Sequence, residues 1–218
     1  MTSHKFNAVL FDLDGTLLDT LEDLTDSMNA TLAKFGKDPV SMDQSKYFVG
    51  DGVEQFVRRA IGGQPDRKTV EDFARAYRAE YAGRWAAKTR PYDGIGDLLE
   101  TLKARGVKMA VLSNKPDDFT SLTVERFFAP GIFAAVRGAK ADIPNKPDPS
   151  AAIQITSDLK ITPEHFLYVG DTNTDMQTAT AAGMYAVGAL WGFRTADELL
   201  VNGAKVLIEK PAELLKLL

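Results

Sequence analysis

Five short apolar runs constrain this chain more than any other feature: AVLF (8–11), KMAVL (108–112), FLYVG (166–170), YAVGAL (185–190) and KVLI (205–208). They are near-continuous rather than alternating, the pattern of parallel strands covered on both faces. Helical patterns lie between them. In GIGDLLETLKARG (94–106), Leu98, Leu99 and Leu102 fall on one side and Gly106 stops the helix. KPDDFTSLTVERFF (115–128), DPSAAIQITSDLK (148–160) and DMQTATAAG (175–183) read the same way. Strands alternating with helices predict an α/β fold, a Rossmann-like parallel sheet with helices on both faces.

Residues 17–90 break that rhythm. Leu21, Leu24, Met28, Leu32 and Phe35 recur at helical spacing, as do Val70, Phe73, Tyr77, Tyr81 and Trp85, and VEQFVRRAIGG (53–63) is a further helix. No strand is predicted in this span. The expected organisation is a core of residues 1–16 and 91–218 with an all-helical cap of residues 17–90 inserted after the first strand, and hinges near Leu17–Thr20 and Arg90–Gly94.

Composition removes several function classes. The absence of cysteine excludes disulfides, thiolate nucleophiles and Cys-based metal sites. A net charge of −4 without a long basic face argues against nucleic acid or an anionic membrane as the main partner. No run approaches the ~18 apolar residues of a membrane span, and an acid interrupts the first apolar stretch before a signal-like run is complete. The expectation is a soluble, cytoplasmic protein, monomeric or a homodimer.

Four polar clusters follow the apolar runs: DLDGT (12–16), SNK (113–115), NKPDP (145–149) and GDTNTD (170–175). Each alone has a plain structural use, as a turn, a proline-opened helix or a helix cap. Together they predict a site, because the carboxyl ends of strands in an open α/β sheet line one crevice. Acids gathered at one rim require a cation. A small aspartate set without His or Cys suits Mg²⁺, which keeps waters and takes substrate phosphate oxygens. Lys146 then faces the same anion, and Ser113 with nearby backbone N–H groups holds its other oxygens. This is the equipment of phosphoryl transfer. Of the paired acids, one can attack phosphorus while the other donates a proton to the leaving oxygen and later takes one from water.

DLDGT, LSN, KPDP and GDTNTDM, in this order, resemble the four motifs of the haloacid dehalogenase superfamily of phosphohydrolases, and the insertion is similar to that superfamily's C1-type cap. YFVGDGVEQFVRRAIG (47–62), SNKP (113–116) and the tail from Ala189 to Leu214 resemble the phosphoglycolate phosphatase-like branch. The resemblance implies Asp12 as nucleophile and metal ligand, and Asp14 as general acid/base that also offers its backbone carbonyl to Mg²⁺. It implies Thr16, Ser113, the backbone N–H of Asn114 and Lys146 around the phosphoryl group, Asp171 as a metal ligand, and Asp175 in the outer shell. True haloacid dehalogenases lack the second acid and the metal. The implied activity is a Mg²⁺-dependent phosphatase acting on a small phosphorylated metabolite, phosphoglycolate first among candidates, through an aspartyl-phosphate.

Two alternatives share this chemistry: a phosphomutase of the β-phosphoglucomutase type, and a pyrophosphatase or nucleotidase of the same superfamily. A phospho-accepting receiver module also collects acids, a hydroxyl and a lysine at strand ends, but receivers are shorter and lack the insertion. His4 and His165 are assigned no catalytic role. Arg58, Arg59, Arg75, Arg78 and Arg84 read mostly as solvated helix faces, with one of them reaching a substrate carboxylate as the lesser alternative. The GDG at 50–52 reads as a loop between helices, which the resemblance makes a candidate specificity loop closing over the site.

Overall fold

The structure, a computed structural model, describes residues 6–218; His4 lies outside them. Six parallel strands form one sheet: β1 (Ala8–Phe11), β4 (Lys108–Pro116), β5 (Ala135–Ala139), β6 (Phe166–Gly170), β7 (Tyr185–Ala189) and β8 (Val206–Ile208). Their spatial order is β5-β4-β1-β6-β7-β8. The doubly covered runs behave as their apolarity requires. Val9 and Phe11 of β1, Met109 and Val111 of β4, and Leu167 and Val169 of β6 enter one hydrophobic cluster. The alternate residues Ala8, Leu10, Ala110, Leu112, Phe166 and Tyr168 enter a second cluster on the opposite face. The first face is covered by α5 (Ile95–Ala104) and α6 (Asp117–Phe127), the second by α7 (Ser150–Leu159), α8 (Asn173–Ala181) and α9 (Ala196–Val201). Each fully buried aliphatic side chain contributes about 2 kcal/mol to this assembly.

Four helices fill the insertion: α1 (Leu21–Lys34), α2 (Met42–Phe48), α3 (Val53–Ile61) and α4 (Arg67–Ala82). Leu21, Leu24, Met28, Leu32, Phe56, Val57, Val70, Phe73, Tyr77 and Tyr81 make a third core, joined by Phe119 and Phe193 from the sheet's own loops and helices. Two expectations need correction here. Helix α4 ends at Gly83, so Trp85 is not on it; its ring meets Phe127 edge-on at 6.4 Å, bridging the insertion to α6. The span also contains a strand residue pair: β2 (Leu18–Asp19) runs antiparallel to β3 (Arg90–Pro91), with Leu18 opposite Pro91. The two linkers are thus tied side by side where hinges were expected, and Arg90 pairs with Asp19 at 3.0 Å.

Asp23, in the first turn of α1, is 1% exposed. Its carboxylate accepts from Lys88 N at 2.9 Å, Thr89 N at 2.8 Å and Thr89 Oγ1 at 2.7 Å. That clasp holds the return linker against the outgoing one. Among the described residues, no helix is long and apolar enough to cross a membrane.

Candidate active site

Sheet order makes the site. Strand β1 lies between β4 and β6, with Phe11 in register with both Val111 and Val169. The residues just beyond Phe11 therefore lie between the ends of two neighbours, and Asp12 N donates to Val169 O at 2.9 Å. Asp12 follows β1 and Asp171 follows β6. Strand β4 runs further than its apolar run, to Pro116, so Ser113–Lys115 belong to the strand rather than to a loop after it. Asp175 sits in the first turn of α8, where Thr172 caps the helix and Asp175 returns a bond to the cap.

Asp12, Asp171 and Asp175, all buried, offer one carboxylate oxygen each within 4.8 Å of one another. Lys146 lies against two of them, its Nζ 2.8 Å from Asp12 Oδ1 and 2.7 Å from Asp175 Oδ1. The contact to Asp12 is an ion pair off the hydrogen-bond direction, and Asp12 Oδ1 has no aligned donor among the described residues. Burial, reinforced by Asp175, pushes the Asp12 carboxyl well above the usual range against the pull of Lys146. Burial opposes the charge on Lys146, but Asp12 and Asp175 outweigh it and raise its pKa. Burial and Asp175 also push Asp171 up to about 7, against bonds from Thr16 and from Phe193 N.

Three carboxylates against one ammonium leave an excess of negative charge in a desolvated site. The donor set is all oxygen, and one buried oxygen is orphaned. Both features fit a hard divalent cation, so Asp12, Asp171 and Asp175 can hold a divalent metal ion.

The backbone is shaped to this cluster. Gly15 has φ +91°, and a Cβ there would meet Asp171 Oδ2 at 2.3 Å. Thr16 is placed differently from its expected role on phosphate: its hydroxyl donates to Asp171 Oδ1 at 2.7 Å, committing its proton to that carboxylate. Asn114 uses its side chain to fasten Lys146, accepting from Lys146 N at 2.9 Å and donating to Lys146 O at 3.0 Å.

Above the cluster, a cavity of about 480 Å³ lies between the sheet and the insertion. Asp12, Asp14, Ser113, Asn114 and Lys115 line it from the sheet side. Phe56, Tyr77, Tyr81 and Phe119 are among its aromatic walls. Its upper edge is the loop that includes the GDG at 50–52, and residues from the sheet side grip that loop. Asn114 Nδ2 donates to Gly50 O at 2.9 Å, Thr174 Oγ1 donates to Asp51 Oδ1 at 2.7 Å, and Arg194 donates to Val49 O at 2.8 Å. Two arginines read as solvated, Arg75 and Arg78, also line the cavity.

Lys115 carries a role absent from the sequence reading. Its Nζ lies 2.9 Å from Asp14 Oδ1 and 3.1 Å from Asp14 Oδ2, and 4.8 Å from the centre of the Tyr81 ring. Both side chains of the pair are largely buried, at 3% and 12% exposure. No local signal tells which of two lysines in polar clusters faces which aspartate. The cap on Asp175 is different, since T-x-x-D before a helix can be read directly.

A parallel α/β core with a helical insertion over a buried aspartate cluster defines a capped hydrolase of the phosphoryl-transfer type. The model of the haloacid dehalogenase-like hydrolases matches residues 9–189, and the chain belongs to that family. It is 32% identical over 205 residues to the phosphoglycolate phosphatase of Pseudomonas putida KT2440, covering 92% of this chain and 75% of that protein. It is 29% identical over 210 residues to the phosphoglycolate phosphatase of Aquifex aeolicus, covering 96% and 95%. The crystal structure of a predicted phosphoglycolate phosphatase from Haemophilus somnus superposes with a TM-score of 0.90 at 25% identity, covering 98% of both chains. The chain is a phosphatase-type hydrolase of the phosphoglycolate phosphatase-like branch.

Proposed function

We propose that the protein is a Mg²⁺-dependent phosphomonoesterase that hydrolyses a small phosphorylated metabolite, phosphoglycolate first among them, through an aspartyl-phosphate on Asp12. The observation that carries this reading is that Asp12 belongs at once to the buried carboxylate cluster and to the cavity lining.

In the first half-reaction an Asp12 carboxylate oxygen attacks phosphorus, the bond to the leaving oxygen breaks, and Asp14 gives that oxygen a proton. In the second, Asp14 takes a proton from water, the hydroxide oxygen attacks the same phosphorus, and inorganic phosphate leaves with Asp12 restored. Ser113, the backbone N–H of Asn114 and Lys146 hold the phosphoryl oxygens, and Thr16 keeps Asp171 oriented. Asp12, the Asp14 carbonyl and Asp171 would hold Mg²⁺, with Asp175 supporting them. The bound ion supplies charge neutralisation among the aspartates and on the phosphoryl oxygens.

Residues 17–90 act as a cap that turns on the paired linkers, excluding water when closed and releasing product when open. Phosphoglycolate is supported by the names of relatives near 30% identity. A cytoplasmic location and a monomeric or homodimeric state complete the proposal; the lack of cysteine suits a reducing compartment.

The test is Asp12→Asn, assayed on p-nitrophenyl phosphate and phosphoglycolate with Mg²⁺. Loss of at least about 10³-fold in kcat is expected, and EDTA should silence the wild type. Undiminished turnover by the variant overturns the assignment.

A further inference from the structure

Lys115 is a lysine in a place that costs free energy, and the reaction above gives it nothing to do. Its side chain is 3% exposed. A buried ion pair adds little net stability over an apolar pair of the same volume, so neutralising Asp14 is a weak reason for a lysine here. An ammonium carries three donors; two of them face the two Asp14 oxygens, and among the described residues no other acceptor is bonded to Nζ. The remaining side of Nζ meets the Tyr81 ring, and Tyr81 itself lines the cavity with a buried Oη that has no hydrogen-bond partner among the described residues. Lys115, with one N–H beyond its two contacts to Asp14, and the unpartnered Tyr81 hydroxyl thus border one apolar-walled space beside the acid/base.

The other cations of the cavity are differently disposed. Arg75 is 79% exposed and paired with Asp72 at 3.4 Å. Arg78 is 52% exposed, paired with Asp118 and laid over the Phe119 ring. Lys146 is occupied below by Asp12 and Asp175. An anion entering on the leaving-group side would be stranded among Phe56, Tyr77 and Phe119 unless Lys115 received it.

We infer that Lys115 is a specificity-determining residue that receives a carboxylate carried by the leaving group, so the site selects phosphomonoesters of short hydroxy acids. The reach follows from the pair geometry. A leaving oxygen within ~3 Å of Asp14 and an anion within ~3 Å of Nζ stand no more than ~9 Å apart by the longest path, and about 3–5 Å by a folded one. The folded span corresponds to one or two carbons. The inference rests on the phosphatase reading of this same site.

The test compares 2-phosphoglycolate with 2-hydroxyethyl phosphate, which replaces the carboxylate by a neutral carbinol, on wild type, Lys115→Met and Lys115→Arg. The readout is the ratio of the two kcat/KM values, which cancels any effect of the substitution on chemistry common to both substrates. The wild type should prefer the carboxylate, Lys115→Met should lower the ratio by about 10- to 100-fold, the scale of a charge-assisted hydrogen bond, and Lys115→Arg should retain part of it. A wild-type ratio near one, or a ratio unchanged in Lys115→Met, overturns the inference while leaving the phosphatase intact. If the wild type turns over no phosphoester, the phosphatase reading fails separately. Calorimetric titration of wild type and Lys115→Arg with glycolate in the presence of inorganic phosphate then decides: binding to both, lost in Lys115→Met, supports the role, and equal binding in all three or none removes it.

Discussion

Replacing Lys146 by methionine is the perturbation for which the structure sets the clearest magnitude. The ammonium stands 2.8 Å from Asp12 and 2.7 Å from Asp175, with side chains 3%, 8% and 0% exposed. At an effective dielectric constant of ~20, each contact is worth roughly 6 kcal/mol of Coulomb energy, most of it offset by the desolvation of the ions. Carboxylates ~5 Å apart repel by about 3 kcal/mol per pair on the same scale. Methionine keeps the packing volume and removes the charge, so the net loss belongs to the class of broken buried pairs, about 3–5 kcal/mol in metal-free protein at pH 8. For a chain of this size that lowers Tm by roughly 10–15 °C.

The loss also has a signature in pH. Asp12 already lies above the usual carboxylate range, and losing its cation raises it further. The folded variant then retains protons that the unfolded chain has released, so its deficit grows as pH rises and shrinks towards pH 5. Urea unfolding of both proteins in EDTA at pH 5.5, 7 and 8 measures this directly. A deficit below 1 kcal/mol, or one equal at all three pH values, would falsify the role of Lys146 as counter-charge to the cluster. Turnover should fall by at least ~10²-fold.

Two further outcomes follow from the same geometry. With Asp12 raised and Asp171 held at about 7, metal-free wild type has their full stabilisation below about pH 4 and loses it as pH climbs through 7; scanning fluorimetry should show Tm falling from pH 5 to 8 in EDTA and recovering with Mg²⁺ at pH 8, and a flat profile would contradict the raised values. Asp23→Ala leaves Lys88 N, Thr89 N and Thr89 Oγ1 without their acceptor, which should cost about 2–4 kcal/mol in urea unfolding, and a cost under 1 kcal/mol would show that water replaces the clasp.

The five runs were legible because their apolar residues are near-continuous; four became the interior strands β1, β4, β6 and β7, and KVLI became β8 at one edge of the sheet. Strand β5 was not, since AVRGA is half-buried at the sheet's edge and admits Arg137 and Gly138. The two-residue ladder of β2 and β3 is too short for any periodicity. Helix α2 was missed although Ser41 and Gln44 form a complete capping box, a signal present in the sequence, and α9 is only six residues long. Trp85 continued the spacing of α4 past Gly83, where the helix had already stopped.

What the sequence by itself determined is the set of buried strands, the helical insertion after the first of them, and the identity of the acids at the strand tips, because these are written in local apolarity and period. Only the tertiary structure decided that β1 would lie between β4 and β6, that Thr16 would hold Asp171, and that Asp14 would meet Lys115 rather than Lys146. The physical reason is that many strand orders bury the same runs equally well. The order adopted brings together residues about a hundred or more positions apart, such as Asp14 with Lys115 and Thr16 with Asp171, and no local pattern encodes such pairings.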